Sequence, residues 1–294
     1  MGNMLRRKSS GECIFDIVNN ILLTALVLVT IYPFLYVLFA SLSDSDLLMQ
    51  KVGILLKPLG FSLKAYISVL NNPMIAIGYG NTILYMAVGT TINMLMTSLG
   101  AYVLSRKDFR IKRIMSLLII FTMFFSGGMI PTYLVVMQLG MIDKIWALVL
   151  PGAISTMNLL IMRTAFMSIS PSLEESAFID GANDLVILLR IVLPLSLPTV
   201  AVMVLFYGVG HWNSWFPAMI YLRTRTKYPL QLILREVLVL NDVSRMDTGV
   251  MPGASIGESI KYATIMVATL PILFLYPFLQ KYFVKGVMIG AIKE

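Results

Sequence analysis

The sequence predicts an all-α membrane protein with six transmembrane helices, and three observations carry that prediction. Of the 294 residues, 58% are hydrophobic and only 13% are charged, where a soluble domain carries about 25% charged residues. The mean hydropathy is +0.83. The apolar residues gather into six runs, each long enough, at about 1.5 Å per helical residue, to cross about 30 Å of hydrocarbon. So little polar surface argues against a soluble enzyme, a disordered chain or a disulfide scaffold.

The first run, 14–40, follows Arg6, Arg7 and Lys8. It exceeds the apolar core of a signal peptide, about 7–15 residues, and reads as an uncleaved membrane helix. The others are 79–104, 114–139, 145–166, 193–222 and 259–283. Pro33, Pro131, Pro151, Pro217 and Pro271 lie in or near these runs, which membrane helices tolerate where neighbours satisfy the freed carbonyls. No repeat and no low-complexity tract is visible, so 1–294 reads as one transmembrane domain.

The net charge of +8 comes from 23 Lys and Arg against 15 Asp and Glu. In a membrane chain it reads as positive-inside bias and attraction to anionic headgroups. No basic run interleaved with aromatics marks a nucleic-acid footprint. Arg106, Lys107, Arg110, Lys112 and Arg113 fill the link between runs two and three, and Lys281, Lys285 and Lys293 follow run six. With the N-terminal cluster they fall on one side, which puts both termini in the cytoplasm. The outer basic residues spread over two polar links, 41–78 and 223–258, that read as short amphipathic helices or lid-like loops. The chain has one cysteine, Cys13, and one histidine, His211. They cannot make an internal disulfide or a Cys/His zinc site, and Cys13 reads as a small hydrophobe near the membrane interface.

The link 167–192 departs from this pattern. From Thr164 to Leu189 it carries Glu174, Glu175, Asp180 and Asp184 but no Lys or Arg, although cytoplasmic loops are usually basic. Ser172 and Glu175 have capping-box spacing, and Pro171 suits a first helical turn. Gly181 suits a left-handed stop, and Asn183 or Asp184 can cap a second helix running into Leu193 and Pro194. Leu173, Ala177 and Gly181 share one face at i, i+4, i+8 spacing. Such an acidic helix with small residues and an aromatic, Phe178, suits docking into a partner's groove or lying on its own bundle.

Glu175-Ser176-Ala177, followed by Ile179-Asp180-Gly181-Ala182 and then Leu193-Pro194, resembles the EAA loop. That loop marks the inner-membrane permeases of binding-protein-dependent ABC importers of the carbohydrate-uptake, maltose-transporter type. Gly127-Gly128-Met129-Ile130-Pro131-Thr132-Tyr133, Trp212-Asn213 with Phe216-Pro217, and Gly286 through Gly290-Ala291-Ile292-Lys293 resemble other segments of that family. The resemblance covers nearly the whole chain and points to the oligosaccharide-handling subgroup. Two departures are Ser176, where the first alanine is usual, and Glu294, where a terminal glycine is common.

The resemblance implies a type I ABC importer permease fold with a cytoplasmic coupling helix. Glu174, Glu175, Ser176, Ala177, Phe178, Asp180, Gly181 and Ala182 would couple to an ATPase. In that reading Ala177 and Gly181 are small so that backbones approach, Asp180 anchors the helix break, and Glu175 faces the ATPase. The tail, 285–294, would also touch the ATPase pair. The implied partners are a second permease subunit, two ATPase subunits, an extracytoplasmic solute-binding protein and membrane lipid. This chain needs no cofactor, with ATP and Mg in the partner subunits. No G-x-x-x-x-G-K-[ST] phosphate loop occurs, so the chain itself is not expected to hydrolyse ATP. The implied location is the bacterial cytoplasmic membrane.

Other constellations have weaker claims. Gly253-Ala254-Ser255-Ile256-Gly257 matches G-x-S-x-G, but that motif needs a strand before it and a helix after it. An intramembrane serine protease would also need Ser255 beside His211 within the membrane. Tyr207, His211 and Ser214 or Trp215 share a face of run five. With Trp212 and Asn213 they read either as a polar strip for sugar or as an interfacial aromatic belt. Asn93 and Asn158 read as interhelical glue. Arg223, Arg225 and Lys227 read as headgroup anchors, or as contacts for an acidic sugar or an acidic patch on a docking protein.

Overall fold

A computed structural model of the chain describes residues 10–247 and 258–274, and no named strand occurs among them. Two compact units divide the chain, Met1–Asn71 with Val237–Val267, and Asn72–Glu236 with Ala268–Glu294.

In the first unit, α1 (Ser10–Ser41) carries Pro33 inside it. Its most apolar window has no buried residue, and side chains such as Ile14, Leu22, Val29 and Phe34 are more than half exposed. Lipid is the solvent in which such a helix is stable, because its backbone groups are satisfied internally. The segment after it folds into two short helices, α2 (Ser45–Gln50) and α3 (Lys64–Leu70). Asp44 caps α2 by accepting from Asp46 N–H at 3.0 Å. Ser43 Oγ donates to the Phe39 carbonyl at 2.6 Å and accepts Leu59 N–H at 3.0 Å. Tyr32 OH accepts Leu55 N–H at 3.1 Å. Within this unit Ser259, in the helix 258–274, accepts from Ser45 Oγ at 2.7 Å and donates to the Ser43 carbonyl at 2.9 Å. Around these bonds Ala40, Leu48 and Leu55 are buried, with Tyr36 and Tyr262 against them. The polar link 41–78 is therefore short helices tied to the end of α1.

The second unit is built around α4 (Pro73–Ser105). Asn72 caps it through Met74 N–H, and Pro73 occupies its first turn, where the missing N–H costs no hydrogen bond. On α4 pack α8 (Thr156–Met167) and α12 (Leu197–Trp212). Before α8 come α5 (Lys112–Phe124), α6 (Met129–Gln138) and α7 (Trp146–Val149), the last continuing into the tight turn Leu150–Gly152. After it come α9 (Pro171–Ile179), α10 (Asp184–Ile187), a wide π turn Leu188–Val192 and α11 (Leu193–Leu195). Then follow α12, α13 (Phe216–Tyr221) and α14 (Leu230–Asp247), the last passing at residue 236/237 from this unit to the first.

Three predicted spans are broken rather than continuous. Two described helices, Ile14–Ser41 and Pro73–Ser105, are long and apolar enough to cross a membrane unbroken. Three bent pairs raise that to five among the described residues. The run 114–139 bends by 111° between α5 and α6, at Gly128 with φ +82°. The run 145–166 bends by 54°, across the break 153–155 that follows the tight turn Leu150–Gly152. The run 193–222 is interrupted at Ser196, with an 89° bend before α12, and again at 213–215. Proline explains much of this. Pro194, Pro198 and Pro217 each sit in the first turn of a new helix, where a ring without an N–H starts a helix but cannot continue one. Of the sixth run, 258–274 is helical and the remainder lies outside the described residues. So do Arg6, Arg7, Lys8, Lys281, Lys285, Lys293, the Ser255 motif and the tail 285–294.

Candidate functional site

The acidic link folds as helix, glycine break, helix. Pro171 is the first residue of α9 and Ser170 its N-cap. The expected capping box at Ser172 and Glu175 does not form, because the helix begins earlier, at the proline. Ser172 Oγ instead meets Ser170 Oγ at 2.8 Å, and its carbonyl accepts Ser176 Oγ at 2.8 Å. At the other end Ala182 N–H bonds the Ala177 carbonyl at 2.9 Å and Gly181 N–H the Phe178 carbonyl at 3.0 Å. This pair of bonds is a Schellman stop. It requires the left-handed backbone that Gly181 adopts at φ +83°, where a β-carbon adds steric strain. A Cβ there would meet nothing within 4 Å. Gly181 is needed for its conformation, and close packing within this chain does not explain it. Asn183 Oδ1 then caps α10 through Val186 N–H at 2.9 Å.

Packing divides α9 into two faces. Ala177 is buried in the unit's main core with Tyr102, Phe166, Ile187 and Leu188, and Ala182 packs against the same cluster. The small Ala177 lets α9 approach its own bundle closely. Leu173, Glu175, Ser176, Ile179 and Asp180 point outward, with Ile179 87% exposed.

Arg106, at the end of α4, is the residue that sequence reasoning undervalued as a topology marker. Its guanidinium pairs with Glu174 and lies 3.8 Å from Asp184 Oδ1. Arg106 Cζ sits 5.3 Å from the ring centroids of both Tyr102 and Phe178, within cation–π range. Tyr102 OH donates to Asp184 Oδ1 at 3.0 Å. One cation thus ties α4, α9 and the start of α10 together, and both partners in the Glu174 pair are mostly shielded from water, at 16% and 18% exposure. A pocket of about 470 Å³ opens beside it, between Arg106, Phe109, Phe178 and Leu185. The signal available in the sequence was an arginine at the helix end facing an acidic island. The fold alone supplies the distance.

The predicted polar strip of run five is used mainly inside the bundle. His211 Nε2 lies 2.7 Å from Asn93 Oδ1. Asn93 Nδ2 donates to the carbonyls of Gly152 and Ala153 at 2.7 and 2.9 Å. Tyr207 OH shares a proton with Thr97 Oγ1 at 2.7 Å and accepts Ser155 N–H at 3.1 Å. Trp212 Nε1 donates to the Ala268 carbonyl at 3.3 Å. Tyr207 and Trp212 are buried, and their polar atoms join neighbouring helices. Asn93 is fully buried glue, as expected, and satisfies the Gly152 and Ala153 carbonyls left open at the break before α8. Gly89 completes the joint, since a Cβ on it would fall on the His211 ring. Asn213, which donates to the Val209 carbonyl at 3.0 Å, is exposed. Trp215 is half-buried beneath the Arg235 guanidinium, 4.2 Å from its ring centroid.

At the other end of α4, Asp143 organises the loop after α13. Its Oδ1 accepts Arg223 N–H and Thr224 N–H, each at 3.0 Å. Its Oδ2 accepts Thr224 Oγ1 at 2.7 Å and Lys227 Nζ at 2.6 Å. Lys227 is therefore committed within the chain, and Arg225 pairs with Glu236 at 3.1 Å. Arg223 is exposed and has no side-chain partner among the described residues. The Lys227 ammonium and these donors hold the Asp143 carboxyl well below the usual carboxylate range. A depressed carboxylate stabilises the fold above the unfolded-state pKa, and that stability is lost as pH falls through the folded-state value. The thermal midpoint of the wild type should therefore exceed that of Asp143→Asn at pH 7, and the gap should narrow as pH drops below about 4. A gap that is constant from pH 7 to pH 3 would show that the charge is irrelevant.

No protein-family model matches the chain. It is 42% identical over 285 residues to the polygalacturonan/rhamnogalacturonan transport system permease protein YtcP of Bacillus subtilis (strain 168), which covers 95% of this chain and 98% of that protein. It is also 42% identical over 281 residues to protein LplC of the same organism, covering 95% of each. A chain in the crystal structure of a bacterial ABC transporter involved in the import of the acidic polysaccharide alginate superposes with a TM-score of 0.85 at 35% identity, covering 95% of this chain and 99% of that one.

Proposed function

Because the chain belongs to the permease subunits of carbohydrate-importing ABC transporters, we propose that it forms one half of a heterodimeric permease whose α9 is the coupling helix. Permeases of this family are transport subunits rather than enzymes and work with ATPase and binding-protein partners. In the proposed assembly a second permease completes the path, and two ATPase subunits that bind ATP and Mg dock on the cytoplasmic side. A solute-binding protein delivers sugar from outside. In this proposal the chain crosses the bacterial cytoplasmic membrane six times, with both termini inside: two unbroken helices and three bent pairs make five spans, and the run 259–283 is the sixth. ATP-driven closure of the ATPases moves α9, which opens the path outward, and hydrolysis resets it. Support for this coupling role comes from the outward face of α9 around Glu175 and Ile179, because a helix that only covered its own bundle has no use for an 87% exposed isoleucine.

Co-purification tests the docking. Glu175→Lys and Ile179→Asp should each abolish recovery of the ATPase, while the permease itself unfolds within about 0.5 kcal/mol of wild type, as exposed substitutions do. Normal ATPase recovery in both variants sinks the assignment.

The sugar is proposed to be an oligosaccharide bearing uronates. Support comes from the acidic polysaccharides in the relatives' names and from Arg223, an exposed cation without a carboxylate partner among the described residues. Sugar entry is proposed at the break 213–215, beside Asn213, Trp215 and the half-buried His211, where an indole face can pack on sugar C–H groups. Arg223→Ala should reduce uptake of galacturonate oligomers and spare that of neutral maltooligosaccharides. Equal uptake of both by the variant removes the uronate preference.

A further inference from the structure

The second unit holds a cationic pocket that neither the coupling helix nor the sugar path uses. It is an open groove of about 430 Å³ between the start of α5 and the side of α8, and Arg110, Lys112, Arg113, Ser116 and Arg163 are its polar lining residues. Four of these five residues are cations. Among the described residues none of the four makes an ion pair, and Lys112 Nζ has only the Arg106 carbonyl at 3.3 Å. Two of its lining residues, Ser116 and Arg163, each hold a solvent-shielded polar atom, Oγ and Nε, with no hydrogen-bond partner. Ser116 is only 9% exposed. A buried donor left unmade costs about 1–3 kcal/mol, so two of them lining one cationic pocket mark a place for an acceptor. The N-terminus of α5 has no side-chain cap, and its free N–H groups add to the positive potential.

The anion that fits is a phosphate diester: its oxygens accept from arginine forks and from a hydroxyl at once. The lining also says where the rest of such a molecule lies. Leu117 and Ile120 continue the pocket along α5. Leu117, Phe121 and Phe124, at i, i+4 and i+7, are 60%, 55% and 74% exposed. An anionic head on the cations with an acyl chain along this apolar stripe is the amphiphilic pattern of a phospholipid, and basic pockets between membrane helices bind such headgroups. We propose that the pocket between α5 and α8 is a binding site for an anionic phospholipid, held through its phosphate by Arg113, Arg163 and Ser116. The site requires only that the chain lies in a bilayer and is independent of the sugar carried.

The test uses the assembled importer purified in detergent and titrated with phosphatidylglycerol or phosphatidylcholine, with bound lipid counted by native mass spectrometry. Phosphatidylglycerol should be retained and phosphatidylcholine should not. Arg163→Gln and Arg113→Gln should each lower phosphatidylglycerol affinity about fivefold, the effect of one cation at a lipid headgroup. Arg113 is exposed, so its variant keeps the test valid if Arg163→Gln fails to assemble. Millimolar inorganic phosphate should leave the lipid in place. Equal retention of the two lipids, unchanged affinity in Arg113→Gln, displacement by inorganic phosphate, or a partner subunit's carboxylate found seated on these cations would each overturn the proposal.

Discussion

Arg106→Ala will assemble with its partners yet lose the link between ATP hydrolysis and sugar uptake. The substitution leaves Glu174 as a shielded carboxylate without its cation and removes a group that bridges α9 to Asp184. Breaking a buried pair costs about 3–5 kcal/mol. At 16–18% exposure some water reaches the pair, and about 2 kcal/mol is the expected penalty on the correct placement of α9, roughly 30-fold in population. The outer face of α9 is untouched, so the ATPase should still be recovered. Stimulation of ATPase activity by the sugar-loaded binding protein should fall by that factor. Arg106→Lys keeps the charge on Glu174 but loses the planar fork that reaches Asp184 and both rings, and should give an intermediate loss. In a double-mutant cycle Arg106→Ala and Glu174→Gln should be strongly non-additive. Additive effects, or full stimulation in Arg106→Ala, would show that the clamp does not position the coupling helix.

Asn93→Leu should be the most destabilising single change in the interior of the second unit. It matches asparagine closely in size but strips the carbonyls of Gly152 and Ala153, and His211 Nε2, of their partner. Interhelical hydrogen bonds in membranes are worth about 1–2 kcal/mol each in model helices, so a loss of about 2–4 kcal/mol is expected. Thermal unfolding of the purified complex reads it. Gly89→Ala should reproduce part of the effect, because its methyl displaces the His211 ring from Asn93. A midpoint in Asn93→Leu equal to wild type would mean that water replaces the asparagine and that this joint does not hold α4, α12 and the Pro151 turn together.

The parts legible in the sequence share a physical cause. Pro171, Gly181 and Asn183 act on their own backbone, through a locked φ, a left-handed turn and an Asx cap, so the helix–break–helix of the acidic link needed no tertiary information. Mean hydropathy is equally local, and α1 and α4 emerged near their predicted bounds. Contacts that depend on a neighbour were not legible: helical periodicity says which residues share a face but not what that face meets, so the bonds of Tyr207 and Trp212 to other helices and the burial of Ala177 needed the fold. Arg106 looked like one more topology charge because its two carboxylates lie 68 and 78 residues away.

By itself, then, the sequence determined the solvent, the helical content and the acidic helix break, because burial in lipid and local backbone preference act along the chain. Tertiary structure alone decided which face of α9 is free, that one arginine holds this helix to α4, and that the cations at the start of α5 meet Arg163 with no carboxylate between them. Those outcomes depend on distances across the bundle, where a salt bridge, a packed methyl or a cationic pocket is set by elements far apart in the chain.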